Sequence, residues 1–246
     1  MRLSWKGYVA VGVVTLFVGL VIMFPARVAY NWFAPPGIAL SGIDGTIWHG
    51  SAAAGLAGGL YLTNVDWKMQ PSKLFSGRVG YGVEADASSG FMQTDIALGV
   101  GGRASLSNLS ASLSLASLQE FVRMPGLSGA LSLRFERLDL ENGLPVAAAG
   151  TAEIANLRVP LIHREPIGGF RAEFFTQDSG VVASVEDTQA SIDIAGSLTI
   201  ASDRTYQFIG KVAPKDDTPD RLREQMRFLG SPNDRGQFDM RLEGQL

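Results

Sequence analysis

Residues 109–115 read LSASLSL, and this stretch decides the fold class. Leu109, Ala111, Leu113 and Leu115 alternate with Ser110, Ser112 and Ser114, which gives one apolar face and one small polar face at a period of two. That is the pattern of a half-buried strand. Further along, Leu131, Leu133 and Phe135 keep the alternation and then change phase to Leu138 and Leu140, a shift that a bulge at Glu136 and Arg137 explains. More strands are expected at residues 79–85, 95–100, 147–157, 169–175, 181–185, 190–194, 197–200, 206–212 and 238–242. Short strands at this spacing make an antiparallel meander. The chain holds 29 glycines, well above the usual share of about 7%, and they stand with Ser and Asn between apolar stretches, as punctuation of strands. The stretches LSGALSLRFERLDL, AAGTAEIANLRVPL and IAGSLTIASDRTYQFIG each open on a small-Gly turn, and they read as successive hairpin strands.

Helices are few. DDTPDRLREQMRFLG carries a capping residue at Asp217 or Thr218, Pro219 near the first turn, Leu222, Met226 and Leu229 on one face, and Gly230 as a stop. It is expected to lie on the sheet or cover one open end, since its other face is rich in Arg and Glu. SLASLQEFVRMPG is a second candidate, with Leu118, Phe121 and Val122 on one side, and QPSKLFSG reads as a single turn after Pro71.

The N-terminal residues 8–24, YVAVGVVTLFVGLVIMF, hold no charge, and at 1.5 Å per residue they reach nearly across a hydrocarbon layer of about 30 Å. A membrane span is expected there, with a signal-peptide core as the other reading. Arg2, Lys6 and the amino terminus precede the span while Arg27 alone follows closely, which keeps the N-terminus in the cytoplasm and sends the rest outside. Trp5, Tyr8, Tyr30 and Trp32 fall at its two ends, where amphipathic rings favour headgroups. The expected organisation is a cytoplasmic start at 1–7, a transmembrane helix at 8–24, a linker at 25–37 marked by APPG, and a periplasmic β-rich domain at 38–246.

The whole chain carries a net charge of −3, and the part beyond the span is more acidic still, so nucleic acid is a poor partner. Cysteine is absent, which removes disulfides, thiolate chemistry and Cys-based zinc sites. The two histidines, His49 and His163, stand in no metal-binding spacing. No G-x-S-x-G elbow presents a serine. GVGGR, residues 99–103, lacks the Lys-Ser/Thr of a phosphate loop and reads as a hairpin turn. No catalytic residue, cofactor or metal is assigned.

Residues 41–50, SGIDGTIWHG, read as a turn at Gly42 and Asp44–Gly45, with Thr46, Ile47 and Trp48 opening a strand and Gly50 letting the backbone pass closely. Trp48 is expected as a buried core peg beside a surface His49, and Trp67 as a second buried anchor near the membrane-proximal end.

With these motifs in hand, the chain resembles the type II secretion system protein N family of Gram-negative bacteria. The resemblance rests on G-T-I-W-x-G at residues 45–50 (Gly45, Trp48, Gly50), on V-D-W-x-x-x-P at 65–71 with its following leucine (Trp67, Pro71, Leu74), and on F-L-G-x-P at 228–232 (Gly230, Pro232), in that order. It implies a mainly β fold, namely an N-terminal transmembrane helix followed by a curved, mostly antiparallel sheet with one or two short helices. It also implies a non-catalytic accessory subunit of the inner membrane that supports protein export across the outer membrane. Its partners would be other secretion subunits, either the inner-membrane platform or the outer-membrane channel. G-x-W-x-G and W-x-x-x-P-x-x-L are similar also to AsmA-like envelope proteins, which implies the alternative of a lipid-handling module whose curved sheet shields acyl chains.

Overall fold

The computed structural model describes residues 5–34, 37–57, 59–87, 89–99, 101–118, 124–178 and 180–245. Among these residues the chain builds one antiparallel sheet of thirteen strands, each paired with its neighbours in sequence. They are β1 (Ile38–Gly45), β2 (His49–Ala57), β3 (Leu60–Met69), β4 (Val79–Ala87), β5 (Gly90–Leu98), β6 (Arg103–Ser114) and β7 (Ser128–Glu141). There follow β8 (Leu144–Arg158), β9 (Gly168–Gln177), β10 (Gly180–Asp187), β11 (Ile192–Ile200), β12 (Thr205–Pro214) and β13 (Phe238–Gln245). The up-and-down order sends turns alternately to two ends of the sheet. The near end holds the turns after β1, β3, β5, β7, β9 and β11, and the far end holds the others. β1 and β13 are not paired with each other, so the sheet is open.

The alternation of residues 109–115 does what its period requires. Leu109, Ala111 and Leu113 of β6 are buried, and with Phe135, Ala148 and Val181 they form the central core cluster. The rings of Phe135 and Phe174 meet at 5.3 Å in a tilted pair. A second cluster joins Ile43, Ala52, Leu62, Val65 and Ala85 across β1 to β4. Burial of one face while the serine face stays wet is the energetic reason for the strict alternation.

The phase shift in β7 is a bulge. Phe135 pairs Gly150 and Arg137 pairs Ala149, which leaves Glu136 as the extra residue. Three other irregularities carry an asparagine at positive φ. Asn64 (φ 48°) lies between the shifted pairs of β3 with β4, Asn108 (φ 53°) in β6 against β5, and Asn156 (φ 53°) in β8 against β9. Asparagine tolerates the left-handed region, and each inserted residue bends its strand and raises the local twist. Asn64 donates to Asp86 and Asn108 to Asp95, each at 2.9 Å, so their side chains brace the neighbouring strand.

At the far end, helix α3 (Asp220–Met226) lies in the connection from β12 to β13 and packs its apolar residues on the sheet. Leu222 packs into a cluster with Leu115, Leu127, Val159 and Ile167, while Met226 joins Val212 and Phe238. The helix is shorter than expected. Residues 227–229 tighten into a 3-10 turn, so Leu229 leaves the apolar face and is exposed. Asp217 and Thr218 do not cap it either. Thr218 is buried, accepts from the Lys215 N–H and donates to the Ser191 carbonyl, and Pro219 flanks the first turn instead. Of the second helical candidate, residues 115–118 form a 3-10 turn and 119–123 lie outside the described residues.

Next to α3, Asp187 meets Lys215 in an ion pair and accepts from the Ile194 N–H at 2.9 Å, while Lys215 also donates to the Ala190 carbonyl at 3.2 Å. Partial burial works against ionising Asp187, yet the Lys215 and Ile194 hydrogen bonds with the Lys215 charge hold its carboxyl below the ordinary value of 3.8. A carboxylate whose affinity for protons falls on folding contributes stability that is complete above the unfolded value and is lost as pH falls through the folded one. Asp187→Asn is therefore expected to cost about 1.5–3 kcal/mol at neutral pH. It should also flatten the loss of stability below pH 3.8. Urea titrations at neutral and acid pH check this, and equal losses at both would refute it.

Two N-terminal expectations are corrected. The helix expected at 8–24 is α1, Trp5–Ile22, and its 18 residues cover about 27 Å at the standard rise. Among the described residues no helix is long and apolar enough to cross a membrane. The helix stops early because Pro25 enters a bridge with Thr46 and the Phe24 carbonyl is taken by the Ile47 N–H at 3.1 Å. Within the stretch expected as a linker, Ala26–Phe33 forms a helix, α2, while Pro35 and Pro36 of APPG lie outside the described residues.

Candidate functional site

The conspicuous construction of the molecule is a clasp at the near end that ties α1 and α2 to the first three strands. Its centre is the turn between β1 and β2. Gly45 adopts φ +81°, and a Cβ there would lie 2.7 Å from the His49 carbonyl oxygen, so only glycine fits. The Thr46 N–H then bonds the His49 carbonyl at 2.9 Å, while its hydroxyl accepts from the Trp48 and His49 N–H groups at 3.3 Å. Residues 46–48 therefore form the turn itself, and β2 begins at His49, not at Thr46 as expected.

This turn redirects Trp48. The indole is half-buried, not a core peg, and its Nε1–H donates to the Val21 carbonyl of α1 at 2.9 Å. The last carbonyls of a helix have no partner within it. Here one is met by Trp48 and the neighbouring Phe24 carbonyl by Ile47. Trp67 supports the turn from below. It is half-buried against the first core cluster, and its Nε1–H donates to the Thr46 carbonyl at 3.2 Å. Its ring crosses Gly50, where a Cβ would come within 2.6 Å of Cζ2 and 2.5 Å of the Asp44 carbonyl oxygen.

α2 lies along the outer edge of β1. Ala26 is buried in the first core cluster. The Arg27 guanidinium donates to the Ile43 carbonyl at 3.0 Å, and the Tyr30 hydroxyl donates to the Ile38 carbonyl at 3.1 Å while accepting from the Leu40 N–H at 3.0 Å. These are outward-facing backbone groups of an edge strand, so α2 covers an edge otherwise open to pairing. Tyr30 thus serves the sheet. Trp32 and Phe33, on the far side of α2, are exposed and stand in ring contact with each other, and Trp32 meets Phe24 at 5.9 Å.

The clasp continues into the connection after β3. The Met69 N–H bonds the Trp48 carbonyl at 2.8 Å, and the Gln70 N–H bonds the Gly80 carbonyl at 2.8 Å. A 3-10 turn, Pro71–Ser76, follows with Pro71 in its first turn, and Gly77 at φ +69° ends it. Leu74 is exposed and Phe75 is 96% exposed. Six of the eight motif residues, Gly45, Trp48, Gly50, Trp67, Pro71 and Leu74, therefore meet at one end. Gly230 and Pro232 stand at the far end, after α3, in the loop leading to β13.

A groove of about 770 Å³ opens beside the clasp, lined among others by His49, Asp66, Lys68, Glu84 and Asp95. Two of its carboxylates are engaged within the sheet: Asp95 accepts from Gln70 and Asn108, and Glu84 from Gln93. His163 lies in the far-end loop after β8, where its Nδ1 accepts from the Glu165 N–H at 3.2 Å. The two histidines are not brought together. Among the described residues no group of three His, Asp or Glu side chains is placed to hold a metal ion.

The sequence reading missed α2 and the outward Phe75. A signal for α2 was present in the spacing of Ala26, Ala29 and Tyr30, masked by the prolines that bracket it.

Fold and site together define an up-and-down β-meander carried on an apolar N-terminal helix, the class of a sheet scaffold. The model of the type II secretion system protein N family matches residues 36–241, most of the sheet, and the chain belongs to that family. It is 27% identical over 257 residues to a type II secretion system protein N of Vibrio cholerae serotype O1, covering 98% of each chain. A second relative, a type II secretion system protein N of Aeromonas hydrophila, is 28% identical over 81 residues, about a third of each chain. No solved structure matches.

Proposed function

We propose that the protein is a non-catalytic accessory subunit of the type II secretion system, held at the inner membrane by the apolar N-terminal segment of which α1 is the helical part, with its sheet in the periplasm. Family membership supports the secretion-system role, and the observation that carries the membrane placement is α1. It exposes Val9, Val11, Val13, Val14, Leu16, Phe17, Leu20 and Ile22 around its circumference, while the clasp holds its end firmly on the sheet. A helix apolar on all sides needs an apolar surrounding. α1 covers about 27 Å by itself, and Met23, Phe24, Trp32 and Phe33 continue its apolar surface past the helix end.

The partner surface is the free side of β13. β1 is covered by α2, whereas among the described residues β13 pairs only with β12 and has no strand beyond it. An uncovered edge of this kind accepts a strand from another chain through main-chain hydrogen bonds.

Two measurements test the reading. Alkaline phosphatase fused after β13 should be active in cells and the fusion should stay in the membrane through carbonate extraction; an inactive fusion or a released one refutes the placement. Photocrosslinkers at Asp239, Arg241 and Glu243 should capture secretion-system subunits. Crosslinks absent there, with stoichiometric phospholipid on the purified protein, would favour the lipid-handling alternative.

A further inference from the structure

We infer that the 3-10 turn Pro71–Ser76 is a second membrane contact, a prong that seats Phe75 and Leu74 in the lipid surface beside α1; this rests on the reading of α1 as a membrane tether. Three observations carry it.

The first is exposure on a fastened turn. Phe75 is 96% exposed, yet the turn presenting it is fastened throughout. Ser76 donates to the Lys73 carbonyl at 2.7 Å, the Gly77 N–H to Leu74 at 3.0 Å, and the Arg78 N–H to Lys73 at 3.2 Å. The Gln70 side chain bonds Asp95 in the sheet, and the Lys73 stem lies against Gly80. A large apolar ring is thus held in water by a built support, an arrangement that marks an interaction site.

The second is position. The turn leaves β3 one residue after Met69, whose N–H is bonded to the Trp48 carbonyl, and Trp48 is bonded to Val21 near the end of α1. The prong therefore shares the near end with α1, two hydrogen bonds away. Val79 and Leu98, paired across β4 and β5, are also exposed and extend the apolar surface along that end.

The third is chemistry. Lys73 and Arg78 flank the apolar pair, and an aromatic ring beside cationic side chains is the combination that suits the boundary between acyl chains and anionic headgroups. With α1 alone the sheet is tied to the membrane at one place. A second contact fixes its tilt.

The chain has no cysteine, so a single introduced thiol labels uniquely. The full chain carrying L16C, F75C or F228C is labelled with an environment-sensitive nitrobenzoxadiazole dye and reconstituted into vesicles of phosphatidylethanolamine and phosphatidylglycerol with spin-labelled lipids. Position 228 serves as the far-end reference, since Phe228 is 91% exposed beyond α3. Expected are deep quenching at 16, shallow quenching with a blue shift at 75, and neither at 228. Quenching at 16 but not at 75 overturns the prong and leaves the tether standing. Equal quenching at 75 and 228 overturns it as non-specific adsorption. Quenching at 75 without 16 refutes the tether and with it a second contact beside α1, and quenching at neither refutes both.

Discussion

Phe135→Ala is expected to destabilise the protein by about 3–5 kcal/mol, the cost of emptying a buried aromatic site. Phe135 is 8% exposed and contacts the second ring of the central cluster, Phe174. Its seat is cut to fit. At Gly150, which has φ +158°, a Cβ would come within 2.8 Å of the Phe135 ring and 2.4 Å of the Arg134 carbonyl oxygen, so the strand opposite has no side chain to fill the space the ring leaves. The cavity has little chance to collapse, which puts the effect toward the upper part of that range. Urea unfolding of the detergent-solubilised full chain measures it. Phe174→Ala should cost less because Phe174 is only half-buried, and the double variant should show a coupling of about 0.5–1.5 kcal/mol between the rings. Additive losses would mean that the rings do not act as a pair.

Gly50→Val is expected to cost about 2–4 kcal/mol, combining overpacking with the loss of the Trp67 hydrogen bond. The added carbon would meet a backbone oxygen on one side and the Trp67 indole on the other. The indole gives way more easily, and its departure takes away the donor to Thr46 that steadies the clasp. Loss of stability should therefore come with a red shift of tryptophan emission. Gly99→Ala is the comparison: its Cβ meets only ordinary contacts at 3.7 Å, and the change should stay within about 0.5 kcal/mol. Equal effects of the two variants would show that the close approach at Gly50 carries no cost.

What was legible in the sequence follows the range of the interactions involved. Most strands from β4 onward and the bulge at Glu136 were readable because periodicity of burial is local: one apolar face must repeat every second residue, and an extra residue shows as a change of phase. β1 and β3 were not read, and the strands expected at 190–194 and 197–200 are the single strand β11. The asparagine bulges were readable too, had the triplets Thr63-Asn64-Val65, Ser107-Asn108-Leu109 and Ala155-Asn156-Leu157 been compared, since each sets an asparagine between a small residue and an apolar one. Trp48 was misread because nothing beside it in sequence says that its partner is Val21, 27 positions away. The turn aims the ring, and only the packed arrangement shows at what. α2 was hidden by its length, since eight residues carry too little helical preference to stand out and this helix is held by Arg27, Tyr30 and Ala26 against β1. The motif residues were visible as a set, while their division between two ends of the sheet was not.

The unequal treatment of the two sheet borders limits what the protein can build. With α2 laid over β1, growth by strand exchange is possible only from the C-terminal side, and two copies that meet there are related by a twofold axis that uses up the one available border in each. Self-association of that kind halts at a pair and cannot run on into fibrils, which lets a long sheet keep one uncovered margin without the hazard of polymerising.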